Sequence, residues 1–240
     1  MAAIVEGPGI AALSCGKPVY LVVLLSGSGC DSQALVSHAL NWAPTMPKAE
    51  FLAAEMASPG SWFDLSGNSP AKTNEGLLAF GPELDHFLDE MLAKRRLPDS
   101  HLALVGFSQG AMLALHVGLR RPKPMAAIVA FSGALFDLAS LESEIHSKPP
   151  VLFIHGEEDP VVPFAAMTDT KNQLKALGVP AKSLKRPGLA HAIDDDGIIV
   201  AGDFLTGLVV HKPAAKPDAD NHEHDHDHDH EHDDHEHEHH

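Results

Sequence analysis

The sequence predicts an α/β protein with a mostly parallel central sheet covered by helices on both faces. Three observations carry this: apolar runs of strand length, amphipathic segments between them, and Gly, Pro or Ser at the boundaries. The runs are Val19 to Leu25, Leu102 to Phe107, Ala126 to Phe131, Val151 to His155 and, more weakly patterned, Ala181 to Arg186, with Phe51 to Ala54 a further candidate. A strand buried on both faces reads as a continuous apolar run, and parallel neighbours need long, usually helical, crossovers. Runs this short do not separate strand from helix by period, so length and flanking turn residues decide.

Glu75 to Arg96 has the strongest helical period. Leu77, Leu84, Phe87, Leu88, Met91 and Leu92 recur at steps of three, four and seven and form one apolar stripe. Thr73 or Asn74 can cap its free amides, Lys94, Arg95 and Arg96 suit the negative end of its dipole, and Pro98 blocks continuation. Further helices are expected over Gln109 to Leu119, Phe164 to Leu177 and Asp195 to Val209. Alternating strand and helix places a ligand site at the carboxyl ends of the strands.

The 240 residues accommodate one such domain, over residues 1–212, and a tail from Pro213 onward. The tail changes composition abruptly to KPAAKPDADN and then alternating His and acid; nothing in it can bury a core, so disorder is expected. The formal charge of −16 is mostly local to it. From Asp218 to His240 there are 11 acids and no Lys or Arg; the body sets 17 Lys and Arg against 22 acids, a net of −5. So mild an acidity offers no electrostatic footprint for nucleic acid or an anionic membrane.

Cys15 and Cys30 are too few for a disulfide framework and lack metal-binding spacing, which fits a reducing cytoplasm. The N-terminus has no basic leader, and Val19 to Leu25 spans about a third of a bilayer, so neither secretion nor stable membrane insertion is expected.

The chemistry concentrates in LVGFSQGAM, residues 104–112. A Gly-x-Ser-x-Gly stretch between a strand and a helix forces its central residue into a strained turn, and the flanking glycines leave room for it. Ser108 then projects its hydroxyl away from the sheet, as a nucleophile does; the other reading is a chance turn serine. Ala111 and Ala114 are small enough for the helix to approach the sheet.

A serine hydroxyl needs a base to take its proton, and the base needs an acid to hold its tautomer. In a hydrolase built on this elbow the acid follows the serine and the histidine comes last. VLFIHGEEDPVVP offers Glu157, Glu158 and Asp159, with Asp159 fixed before Pro160, and RPGLAHAIDDDG offers His191. His155 and His146 are the other histidines weighed, and His155 can equally satisfy a backbone group in the core. Ser108, Asp159 and His191 stand in the required order. Two backbone amides must also face the developing oxyanion. The residue after the nucleophile, Gln109, supplies one; in SGSGCDS, Ser28 is the first choice for the second, with Ser26 behind it and a plain Gly/Ser turn as the alternative.

Together these stretches resemble the phospholipase/carboxylesterase family of α/β hydrolases, relatives of the acyl-protein thioesterases. VVLLSGSGCDS, GSWFDL (60–65), LVGFSQGAMLAL, IVAFSGAL, VLFIHGEEDPVVP and PGLAHAI occur in the family's order over Val19 to Val209. The resemblance implies an α/β-hydrolase fold with Ser108, Asp159 and His191 as triad and Ser28 and Gln109 as oxyanion donors. It also implies that the WFDL stretch lies near the acyl site, with Trp62 and Phe63 binding substrate or else serving as core aromatics. It departs at Ser26-Gly27, where the family commonly has His-Gly.

The expected activity is cleavage of carboxylic esters or thioesters, including lysophospholipids, through an acyl-enzyme, by a monomer or homodimer needing no metal or organic cofactor. The rival reading is a degenerate hydrolase whose tail, with 10 of the chain's 18 histidines, buffers Zn, Ni or Cu. A purification tag or a solubility appendage are plainer readings of that tail.

Overall fold

The computed structural model describes residues 4–58, 60–63, 69–136 and 138–209. The expected tail, and Asp64 and Leu65 of GSWFDL, lie outside the described residues. Within them, seven strands form one sheet: β1 (Ile4–Ile10), β2 (Tyr20–Leu25), β3 (Ala49–Met56), β4 (Leu102–Phe107), β5 (Ala127–Phe131), β6 (Val151–Gly156) and β7 (Ala181–Arg186). Their order is β1-β3-β2-β4-β5-β6-β7, and every pairing is parallel except that of β1 with β3. The chain has the α/β-hydrolase architecture expected from its sequence.

Among the described residues the α-helices are α1 (Ser32–Ala39), α2 (Pro70–Arg95), α3 (Gln109–Arg120), α4 (Leu138–Glu144), α5 (Phe164–Ala176) and α6 (Asp195–Val209). Alternate strand residues feed two cores. Leu21, Val23, Leu104, Ile128 and Phe153 face a core with α2, α3 and α5, whereas Val22, Leu24, Val105, Val129 and Ile154 face a second with α1 and α6. Two covered faces explain why the central strands read as unbroken apolar runs.

Four elements depart from expectation, one of them the short α4, over which the sequence reading places no helix. β1 pairs at the edge with a bulge between Glu6 and Gly9, and its Gly- and Pro-containing IVEGPGI lacks strand alternation. Next, α1 is short and polar in part, begun by Asp31, whose carboxylate accepts the Gln33 amide at 2.9 Å. Finally, α2 begins earlier than the apolar stripe: Ser69 is its cap and Pro70 its first residue, so Thr73 and Asn74 lie inside the helix. Its far end matches the expected basic last turn, with Arg96 in the left-handed conformation that stops it.

Candidate active site

Ser108 sits where β4 turns into α3, at φ 55 and ψ −119, a backbone region costly to any residue with a side chain. Its amide donates to the Phe131 carbonyl at 2.9 Å, tying the elbow to the neighbouring strand. The flanking glycines are required by close approach. A Cβ on Gly110 would lie 2.0 Å from the Leu25 carbonyl oxygen, and one on Gly106 2.4 Å from the Ala111 nitrogen. Either would push α3 off the sheet and move the serine.

Asp159 follows β6, and His191 lies in the loop between β7 and α6. Gly156 lets these loops meet, since a Cβ there would stand 2.1 Å from the Leu189 carbonyl oxygen. The Glu158 amide then donates to that carbonyl at 3.1 Å, and Arg186 braces the far side through Asp194 at 2.6 Å. The result is one line of side chains: Ser108 Oγ to His191 Nε2 at 2.9 Å, and His191 Nδ1 to Asp159 Oδ2 at 2.7 Å.

The tautomer follows from the partners. An ionised carboxylate only accepts, so His191 Nδ1 carries a proton and donates it, leaving Nε2 to accept from the serine hydroxyl. Asp159 is nearly buried, which alone would raise its pKa. Hydrogen bonds from His155, His191 and the Val162 and Val161 amides outweigh that burial and hold its carboxyl well below the usual range. Its Oδ1 accepts the two amides at 2.8 and 2.9 Å. The site therefore keeps a fixed anion behind the His191 ring.

His155 has a larger part here than a core histidine. Its Nε2 donates to the Val162 carbonyl at 2.9 Å and lies 3.3 Å from Asp159 Oδ2, so two imidazoles face one carboxylate oxygen. The HG dipeptide at the end of β6 was the available signal. Of the other acids weighed, Glu157 faces Lys185 at 3.8 Å and Glu158 is exposed. His146 lies beyond α4, where its amide donates to Leu119.

The loop after β2 closes the opposite side. Gly27 packs directly on the serine, since a Cβ there would be 3.0 Å from Ser108 Cβ, and Gly29 takes φ 65. Gln109 is the first residue of α3, so its amide has no intrahelical acceptor. Ser26 is buried and Ser28 exposed. Two hollows share Ser26, Gly27, Cys30 and Asp31 as a wall. One, of about 240 Å³, is lined by Leu35, Phe107, Ala192 and Ile193, and the other, of about 620 Å³, by Glu55, Met56, Ser58 and Trp62. Trp62 thus forms part of a groove wall, whereas Phe63 packs against α2 at Gly76. Among the described residues no group of three or more His, Cys, Asp or Glu side chains is arranged to hold a metal ion.

A strained nucleophile elbow at the carboxyl end of a parallel sheet defines an α/β hydrolase. The family model described as Phospholipase/Carboxylesterase matches residues 14–209, and the chain belongs to that family. It is an ester hydrolase. Acyl-protein thioesterase 1 of Schizosaccharomyces pombe is 26% identical over 208 residues, covering 80% of this chain and 92% of the relative. Acyl-protein thioesterase 1 of Neurospora crassa is 27% identical over 235 residues, covering 86% and 94%. The crystal structure of esterase PE8 superposes with a TM-score of 0.81 at 38% identity, covering 86% of this chain and 99% of that one.

Proposed function

We propose that this chain is a serine hydrolase in which Ser108, His191 and Asp159 cleave carboxylic esters or thioesters through an acyl-enzyme. The observation that carries the reading is the continuous hydrogen-bonded line from the Ser108 hydroxyl through His191 to the Asp159 carboxylate.

As Ser108 Oγ bonds to the substrate carbonyl carbon, His191 Nε2 takes the hydroxyl proton and the carbonyl π electrons move onto oxygen. The amides of Gln109 and Ser28 hold that oxyanion, while Asp159 stabilises the imidazolium. When the oxyanion collapses, the bond to the leaving alcohol or thiol breaks and His191 returns the proton to it. Water then attacks the acyl-serine, again giving its proton to His191, and the second collapse releases the acid and restores the Ser108 hydroxyl. Every proton is handled by one imidazole, so the cycle needs neither metal nor organic cofactor.

The two hollows walled by Ser26, Gly27, Cys30 and Asp31 are proposed to take the acyl and leaving-group arms of a substrate, supported by Gly27 lying against Ser108 and by Trp62 on the wall of the larger one. The thioesterase names of the relatives extend the proposed substrate class to acyl-thioesters. Two exposed, unpaired cysteines, Cys15 and Cys30, favour a reducing cytoplasm. Among the described residues no helix is long and apolar enough to cross a membrane.

Ser108→Ala tests the reading on a chromogenic short-chain ester. Turnover is expected to vanish while the unfolding transition is retained; a variant as fast as wild type would overturn the mechanism.

A further inference from the structure

We infer that the segment Ser61–Trp62–Phe63 is a positioning device for the oxyanion hole. This rests on assigning the oxyanion to the Gln109 and Ser28 amides, and it explains what holds those two groups at one spacing. They belong to separate parts of the fold, the start of α3 and the Gly-containing loop after β2. Within that loop the Cys30 amide donates to the Gly27 carbonyl at a long 3.3 Å, a weak constraint on where the Ser28 amide points.

Three consecutive residues supply the constraint from outside. The indole Nε1–H of Trp62 donates to the Ser26 carbonyl at 2.9 Å in a buried contact. The hydroxyls of Ser61 and Ser28 bond to each other. The side-chain amide of Gln109 donates through Nε2 to the Phe63 carbonyl. Residues 61 and 62 therefore grip the loop that carries one oxyanion amide, and residue 63 grips the residue that carries the other.

The gripping segment is itself seated on α2. A Cβ on Gly76 would fall 2.2 Å from Phe63 Cβ, so only glycine lets Phe63 lie against the helix, and the Trp62 ring meets Phe80 edge-on at 6.0 Å. Force is thus transmitted from α2 through three residues to both sides of the hole. The Ser26 carbonyl that accepts the indole N–H immediately precedes Gly27, which packs on Ser108. Oxyanion donors act over a narrow range of distance, so loosening the loop weakens the transition state while leaving ground-state binding nearly intact. Trp62 and Gln109 Nε2 are positioning groups that act through the two amides.

The second tryptophan provides an internal control. Trp42 is also buried and also donates Nε1–H to a backbone carbonyl, that of Ile198 at 2.8 Å, but it sits in the core under α6. Trp→Phe at either position removes one indole N–H from one carbonyl. The measurements are kcat and KM on a short-chain chromogenic ester, inhibition by an alkyl trifluoromethyl ketone that forms an oxyanion adduct on the serine, and the thermal midpoint.

Trp62→Phe and Gln109→Met are expected to lower kcat about 10-fold with KM within about twofold, and to weaken the ketone by the same factor as kcat/KM. Trp42→Phe is expected to lower the thermal midpoint and leave kcat unchanged. The inference is overturned if Trp62→Phe and Gln109→Met keep kcat within about twofold of Trp42→Phe, or if their loss lies in KM alone. Should Ser108→Ala retain turnover, the underlying mechanism fails instead; should Ser108→Ala be dead and Trp62→Phe fully active, only the positioning role fails.

Discussion

Asp159 shows how tightly single residues are specified in this site. Its Oδ1 is occupied by two backbone amides, so an asparagine there must keep its carbonyl oxygen on Val161 and Val162 and turn its NH₂ toward His191. That makes His191 accept at Nδ1 and carry its proton at Nε2, aimed at a hydroxyl it should deprotonate. Asp159→Asn is expected to cost about 10³- to 10⁴-fold in kcat, measured on the same ester, with little change in KM. That Ser108, Asp159 and His191 would be candidates to meet was legible because elbow, turn and loop each leave a local mark. The contacts of His155 with Asp159 and of Trp62 with Ser26 were not. What each touches, Asp159 Oδ2 for one and the Ser26 carbonyl for the other, is decided by how separate loops meet rather than by a local motif.

At the scale of elements, the central strands and the helices α3, α5 and α6 were readable from apolar runs and their boundaries. Edge and capping features were less so, since β1 has only one neighbour to satisfy and Pro70 moved the start of α2 ahead of its apolar stripe. Helix α3 carries two consequences of close packing. Gly110 cannot take a Cβ, and Gly110→Ala is expected to abolish soluble expression, whereas Gly207 in α6 has open space around its Cβ position. Gly207→Ala is expected to stabilise by about 0.5–1 kcal/mol in urea unfolding, by lowering the entropy of the unfolded chain.

The second consequence concerns His116, buried between α3 and Gly81 of α2. Burial, aided by Arg120 and opposed by Glu144, pulls its pKa down to about 4. The unfolded chain binds a proton there near pH 6.5 and the folded one does not, so stability is full above that value and is lost as pH falls toward 4. The loss by pH 4 is about 3 kcal/mol from this residue, and His116→Leu should flatten the acid side of the urea-unfolding profile by that order.

For the molecule as a whole, the acid-rich tail and the folded body are proposed to be chemically separate. Ten histidines alternating with carboxylates in the last 23 residues supply N and O donors of the kind that would take Zn, Ni or Cu. Zinc titration should give several more equivalents for the full chain than for a chain ending at residue 212, with esterase activity unaffected in either by a chelator. Equal stoichiometry would remove any metal role for the tail.

The strained backbone at Ser108 bears on how such a chain persists. Holding a side chain at φ 55 costs on the order of 1–3 kcal/mol, out of a total stability of about 5–15 kcal/mol. A lineage that had abandoned turnover could recover that stability by a single change to glycine, and random substitution would find it early. Ser108→Gly is expected to recover about that much stability in urea unfolding while turnover is lost.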